Sequence, residues 1–220
     1  MTSLEKMTYD AGFLPILLPD ENDCARRVVS ALEQTAIPAV EILQRGPLAK
    51  DILKEALACR NNALIGAGTV CTLDQCMEMA DLGADFIVSP GCDLSMVDWC
   101  LAHKLPIVPG VSSVSELMET SARGLTMVKL FPFTELGGEA FLNGISGPFP
   151  GMTFIITGGL DDRDLHYLSN PKVAAIGGLW PFQDYDDLSV IPEEEIVSRT
   201  NFSLTVAKHY RNGWPKGPAK

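Results

Sequence analysis

The sequence predicts a closed (β/α)8 barrel in one domain, and three observations carry that prediction. Eight short apolar runs recur along the 220 residues, a helical segment separates each from the next, and the runs are apolar on both faces. A strand buried on both faces belongs to a parallel sheet covered by crossover helices. Eight such units suit closure into a barrel, although the repeat count alone leaves a doubly wound open sheet as the alternative.

The elements follow in order. Met1 to Ala11 is polar with helical composition and reads as a short N-terminal helix of low functional content. Phe13–Leu18 is the first strand, and Pro19-Asp20-Glu21-Asn22-Asp23 supplies a turn and an N-cap for a helix from Cys24 to Thr35. Ala39–Leu43 is the second strand, followed by a Gly46-Pro47 turn and a helix to about Arg60. The third, Ala63–Gly66, leads through Ala67-Gly68-Thr69 into a helix from Leu73 to Leu82. Strands four to eight are Phe86–Ser89, Leu105–Val108, Thr126–Pro132, Thr153–Thr157 and Val173–Gly177. After Trp180 the pattern dissolves into a stretch whose acids, Asp184 to Asp187, are expected to solvate the surface. A final helix runs from about Pro192 to Tyr210, and Asn212–Lys220 reads as a frayed tail. No linker or composition shift divides the chain, so residues 1–220 are expected to form a single domain.

Seventeen basic against 28 acidic residues give a net charge of −11, which argues against nucleic acid or an anionic membrane as the main partner. No apolar stretch reaches the roughly 20 residues of a membrane span. The six cysteines form no CxxC pair and no secretory segment opens the chain, so reduced thiols in the cytoplasm are expected. The three histidines lie far apart, which speaks against a zinc cluster.

The charged residues inside the apolar runs carry the chemistry. In Thr126–Pro132, strand alternation puts Met127, Lys129 and Phe131 on one face and Val128 and Leu130 on the other. One face is then apolar apart from a single amine, which is costly unless the amine is paired, reaches water, or is kept for its reactivity. Glu41 is a similar isolated charge between Ala39 and Leu43. Strands two and six are both even and lie across an eight-strand ring, so Glu41 and Lys129 are expected to converge in one interior layer. An amine beside a carboxylate in a shielded mouth suits Schiff-base chemistry, with Glu41 moving protons. A structural ion pair is the alternative.

Other candidates stand where strands end, the face on which barrels place their active sites. Arg45 could hold a carboxylate with two parallel hydrogen bonds. Gly66-Ala67-Gly68-Thr69 lacks the third glycine of a dinucleotide fingerprint, and reads instead as a tight turn exposing the Thr69 hydroxyl. Thr157-Gly158-Gly159 and Gly177-Gly178 end strands seven and eight, where barrels often bind phosphate, although chain reversal alone would also explain the glycines.

With these residues assembled, the chain resembles the KDPG/KHG aldolases, class I enzymes that cleave 2-keto-3-deoxy-6-phosphogluconate or 4-hydroxy-2-oxoglutarate to pyruvate and an aldehyde. The resemblance runs from about Phe13 to Trp180. It is carried by Val40-Glu41-Ile42-Leu43-Gln44-Arg45, Gly66-Ala67-Gly68-Thr69-Val70, Ser89-Pro90-Gly91, Pro109-Gly110-Val111-Ser112-Ser113, Val128-Lys129-Leu130-Phe131-Pro132, Gly147-Pro148-Phe149, Thr157-Gly158-Gly159 and Ile176-Gly177-Gly178. It implies that Lys129 forms the Schiff base with the keto acid and that Glu41 is the general acid/base. It implies that Arg45 and Thr69 hold the pyruvyl carboxylate and that Pro90 and Phe131 shape the pocket. Thr157, Gly158 and Gly159, with Gly177 and Gly178, would receive the distal part. No cofactor or metal is implied, the partner is a small keto acid, and a homotrimer is expected.

The chain departs from the family pattern at three places. Leu179 follows the glycine pair of the eighth run where phosphate-binding members usually have serine, Leu18 or Pro19 stands where many have a basic residue, and Phe131-Pro132-Phe133-Thr134 replaces the usual Phe-Pro-Ala-Glu. A donor and a cation are lost from one sub-site, so a substrate without phosphate, or with phosphate seated differently, is expected. Two other readings are a non-catalytic sugar-acid binder and a barrel isomerase or epimerase. The latter would want metal-binding His and Asp at strand ends, which the sequence lacks.

Overall fold

The computed structural model describes residues 3–18, 25–182 and 190–212. The expected turn at Pro19–Asp23, the acidic stretch Asp184–Asp187 and the tail beyond Asn212 lie outside the described residues.

All strand pairs are parallel, in the order β5-β4-β3-β2-β1-β9-β8-β7-β6. The strands are β1 (Phe13–Leu17), β2 (Ala39–Leu43), β3 (Leu64–Gly68), β4 (Phe86–Val88), β5 (Ile107–Val108), β6 (Gly110–Val111), β7 (Met127–Leu130), β8 (Thr153–Ile156) and β9 (Val173–Gly178). Only Pro109 separates β5 from β6. Proline has no N–H for a ladder, yet its carbonyl still accepts the Lys129 amide at 2.9 Å. One stretch of chain therefore pairs with β4 on one side and with β7 on the other, and the ring closes as a (β/α)8 barrel. The fifth expected strand runs on from Val108 to Val111.

The helices are α1 (Ser3–Ala11), α2 (Ala25–Glu33), α3 (Ala49–Cys59), α4 (Leu73–Asp81), α5 (Leu94–His103), α6 (Val114–Ala122), α7 (Gly138–Ser146) and α8 (Glu193–Arg211). Between β8 and β9 the connection is a 3-10 helix, Asp162–Ser169, rather than an α-helix. Thr72, Asp93 and Ser113 cap α4, α5 and α6 through their side-chain oxygens, satisfying amides that have no partner within the helix.

Strand alternation divides the core in two. Ile42, Ile65, Ile87, Val128, Leu130, Ile156 and Ile176 face outwards into the layer shared with the helices. Leu14, Ala39, Phe86, Val88, Val108, Met127, Ile155 and Ala175 form the second cluster, which fills the barrel. Leu4 of α1 belongs to this inner cluster, so α1 closes the N-terminal end of the barrel. Thr126 donates to Glu5 Oε1 at 2.6 Å, and the Arg211 guanidinium lies 3.9 Å over the Tyr9 ring while Nη2 donates to the carbonyls of Val173 and Ala174. Among the described residues α1 covers the N-terminal end of the barrel, which leaves the C-terminal ends of the strands as the face for a site.

Candidate active site

Glu41 sits at the centre of β2, paired with Ile16 on one side and Gly66 on the other. Its side chain points inwards because Ala39 and Leu43 share its parity while Val40 and Ile42 face the helices. The interior has room for it because β3 is glycine at two successive inward positions. A Cβ on Gly66 would lie 2.2 Å from the Phe86 ring, and one on Gly68 would lie 2.1 Å from Glu41 Oε1. Gly66 thus accommodates the aromatic floor and Gly68 accommodates the carboxylate above it.

Lys129 lies on β7 between Gly110 and Ile155. Lys129 is 6% exposed and Glu41 0%, and Nζ stands 3.7 Å from Glu41 Oε1. The convergence expected from strand parity is present. The Phe131 ring centroid is 5.2 Å from Nζ, near enough for its face to attract a cation. Neither Glu41 oxygen accepts a hydrogen bond from the described residues. Buried carboxylates are ordinarily hydrogen-bonded to offset desolvation, so a structural ion pair accounts poorly for this one.

Arg45 and Thr69 meet at the rim of the neighbouring strands, where Arg45 Nε donates to Thr69 Oγ1 at 3.1 Å. Thr69 has a φ of 57°. A β-branched residue in the left-handed region carries strain of about 1–3 kcal/mol, and such strain gathers at binding and catalytic sites. The tight turn is therefore made by the threonine itself as well as by the preceding glycines.

Pro90 follows β4, and its carbonyl oxygen lies 2.2 Å from where a Cβ on Gly110 would stand. Pro90 thus leans over the strand beside Lys129. It also lines a cavity of about 250 Å³ with Val70, Cys71, Gly91, Cys92 and Asp93. On the other side, Phe133 N donates to Thr157 O at 2.9 Å, and Gly158 (φ 116°) packs against Pro132. Thr157 is buried, with its hydroxyl unpartnered among the described residues. Thr157 Cγ2 lies 2.7 Å from the Cβ position of Gly177, and the Trp180 ring 2.0 Å from that of Gly178. The space left by this second glycine pair is taken up by protein packing.

Two carboxylates near the rim have pKa values below the ordinary range. Burial pushes Glu116 up, but the amides and hydroxyls of Ser112 and Ser113 outweigh it and bring the carboxyl below its ordinary value. The Arg163 guanidinium beside Asp161 lowers that carboxyl as well. Among the described residues no three of His, Cys, Asp and Glu gather where they could hold a metal ion. Sequence reasoning read Gly66 and Gly68 as turn residues and gave Gly110 no role beyond its motif, whereas all three matter for what occupies the space beside them.

The KDPG and KHG aldolase family matches residues 4–193. Among curated relatives, the 2-dehydro-3-deoxy-phosphogluconate aldolase of Treponema pallidum is 33% identical over 168 residues, covering 76% of this chain and 80% of that one. The KHG/KDPG aldolase of Escherichia coli is 30% identical over 203 residues, covering 89% and 95%. Among solved structures, KDPG aldolase from Legionella pneumophila, with pyruvate captured as a covalent carbinolamine, is 32% identical. It has a TM-score of 0.78 and covers 96% of this chain and 98% of that one. The Zymomonas mobilis enzyme, at a TM-score of 0.85, 24% identity and coverage of 93% and 96%, shares the fold. Family and relatives make this protein an aldehyde-lyase, and the chain belongs to the KDPG and KHG aldolase family.

Proposed function

We propose that the enzyme is a class I aldolase in which Lys129 forms a Schiff base with a 2-keto-3-deoxy or 2-keto-4-hydroxy acid, releasing pyruvate and an aldehyde. The observation that carries this reading is the buried pair: an amine 3.7 Å from a carboxylate that accepts no hydrogen bond from the described residues.

Neutral Lys129 attacks the C2 carbonyl of the keto acid, and Glu41 passes protons as the carbinolamine forms and loses water. The resulting iminium withdraws electrons from the C3–C4 bond. As Glu41 takes the C4 hydroxyl proton, that bond breaks, the aldehyde leaves and the electron pair becomes an enamine. Proton return to C3 and addition of water to the iminium release pyruvate and free the amine. The enclosed barrel strengthens each charge interaction and supports these transfers.

Arg45 and Thr69, joined at 3.1 Å, suit the pyruvyl carboxylate, which would take up donors of the guanidinium and the threonine hydroxyl. Phe131 and Pro90 shape the sides of the pocket, and Thr157, Gly158 and Gly159 receive the part beyond C4, with Gly177 and Gly178 beneath it. The cytoplasm is the compartment this reading assigns. A homotrimer is the assembly this reading expects, and light scattering tests it.

The test is pyruvate release from 2-keto-3-deoxygluconate, its 6-phosphate and 4-hydroxy-2-oxoglutarate, for the native enzyme beside Glu41→Gln. Turnover of at least one substrate is expected, with kcat falling roughly 10²- to 10⁴-fold in the variant. Binding of all three without pyruvate release would favour the non-catalytic binder.

A further inference from the structure

Of the residues proposed for the distal half of the substrate, Thr157 alone is not a glycine. It shares the parity of Ile155, which pairs with Lys129, so its side chain points into the barrel one inward step beyond the level of that lysine. It is 3% exposed, its methyl group stands where a Cβ on Gly177 would be, and its hydroxyl has no hydrogen-bond partner among the described residues. The hydroxyl is therefore aimed by the backbone that carries it. Gly158 and Gly159 follow with φ of 116° and 65° and bring no side chain to steady that backbone.

The steadying contacts come from the neighbouring strand end. The Thr157 amide donates to the Leu130 carbonyl at 3.3 Å, and the Phe133 amide donates to the Thr157 carbonyl at 2.9 Å. The Phe133 carbonyl in turn accepts the Gly138 amide at 2.9 Å, where α7 begins. The Phe133 ring is buried in the layer outside the barrel and meets the ring of Tyr167 edge-on, with centroids 5.1 Å apart at 76°, a favoured geometry for an aromatic pair. Tyr167 is half-buried on the 3-10 helix Asp162–Ser169. One residue thus joins the end of β8, the start of α7 and the 3-10 helix. The usual family pattern has alanine at this place, and a methyl group would leave the Tyr167 edge without its partner.

We propose that Phe133 is a positioning residue for carbon–carbon cleavage: held by Tyr167 and bonded to Thr157, it fixes the Thr157 hydroxyl against the part of the substrate beyond C4. The inference rests on the aldolase reading above and adds residues outside the barrel that serve it. A ring packed among three elements leaves a space its neighbours fill only by moving. Its removal lets the end of β8 shift, and a shift of about 1 Å can cost about 100-fold in rate. Pyruvate ends at C3 and does not meet Thr157, so its reaction with Lys129 is spared.

The experiment compares two readouts in Phe133→Ala, Tyr167→Leu and Tyr167→Phe. One is kcat/KM for cleavage of the best of the three keto acids above, and the other is the pyruvate concentration that half-saturates borohydride trapping on Lys129. In Phe133→Ala cleavage should fall by about 10- to 100-fold while half-saturating pyruvate stays within about twofold of native. Tyr167→Leu should show the same split, and it carries the test should Phe133→Ala fail to fold. Tyr167→Phe keeps the ring and should behave as the native enzyme. The double variant Phe133→Ala/Tyr167→Leu should lose less than the two single losses combined, as residues in contact do. An equal fall in both readouts, which a general loss of structure would give, overturns the inference, as does unchanged cleavage in folded Phe133→Ala. Absence of a Lys129 adduct in the native enzyme overturns the aldolase reading and this inference with it.

Discussion

A single methyl group on Gly68 would occupy the space that the Glu41 carboxylate now fills, 2.1 Å from Oε1. Gly68→Ala is therefore expected to fold, since the displaced atoms end a side chain, while pushing the carboxylate off Lys129. A displacement of about 1 Å can cost about 100-fold in rate, and kcat measured beside a circular dichroism spectrum checks it. Thr69 offers the opposite trade. Thr69→Gly relieves the φ of 57°, so unfolding stability should rise by about 1 kcal/mol, while KM for the keto acid rises because Arg45 loses its hydroxyl partner. A denaturation curve and a KM separate the two effects. Glu41 and Lys129 were legible in the sequence because each is an isolated charge in an apolar run. Gly68 was not, because a glycine that makes room for a neighbouring strand's side chain looks in sequence like one that makes a turn. Only the register, Glu41 beside Gly66 with Gly68 at the next inward position, tells them apart.

Among the elements, the approach to β3 depends on one residue of α2. Glu33 Oε1 accepts the amides of Asn61, Asn62 and Ala63 at 2.6, 2.8 and 3.0 Å, and Oε2 accepts the Asn61 side chain at 2.7 Å. Burial raises this carboxyl, but those donors outweigh it and leave its folded pKa below the ordinary value. The unfolded chain then binds the proton more readily, so the contribution is fully present above the unfolded pKa of about 4.3 and fades as pH falls through the folded value. Glu33→Gln should lower stability at pH 7 and converge with the native enzyme in acid, as denaturant midpoints across pH 3–7 would show. The strands were largely legible because buried parallel strands are continuous apolar runs. Val111 was missed as part of the fifth because Pro109 reads as a strand end, whereas the barrel needs only its carbonyl. The 3-10 helix was missed because its Asp161 and Asp164 capping box starts a helix without fixing its type. The role of α1 was hidden because nothing in Leu4 or Glu5 announces that a helix will close the barrel's floor.

At the scale of the whole molecule, the site exists only because the barrel closes. Lys129 and Glu41 belong to strands that are not neighbours, β7 and β2, and they come within 3.7 Å because, with β5 and β6 counted as one barrel strand, these are the sixth and second strands and share an interior layer. The net charge of −11 gives no general attraction for an anionic keto acid, so binding depends on a local cation, Arg45. The measurement that tests this account most directly is incubation with pyruvate and borohydride, followed by intact mass and peptide mapping, with Lys129→Ala run in parallel. The account predicts a single reduced pyruvate adduct on the peptide bearing Lys129, absent from the variant. A folded native enzyme that binds pyruvate but yields no adduct, or yields one on another lysine, would contradict it.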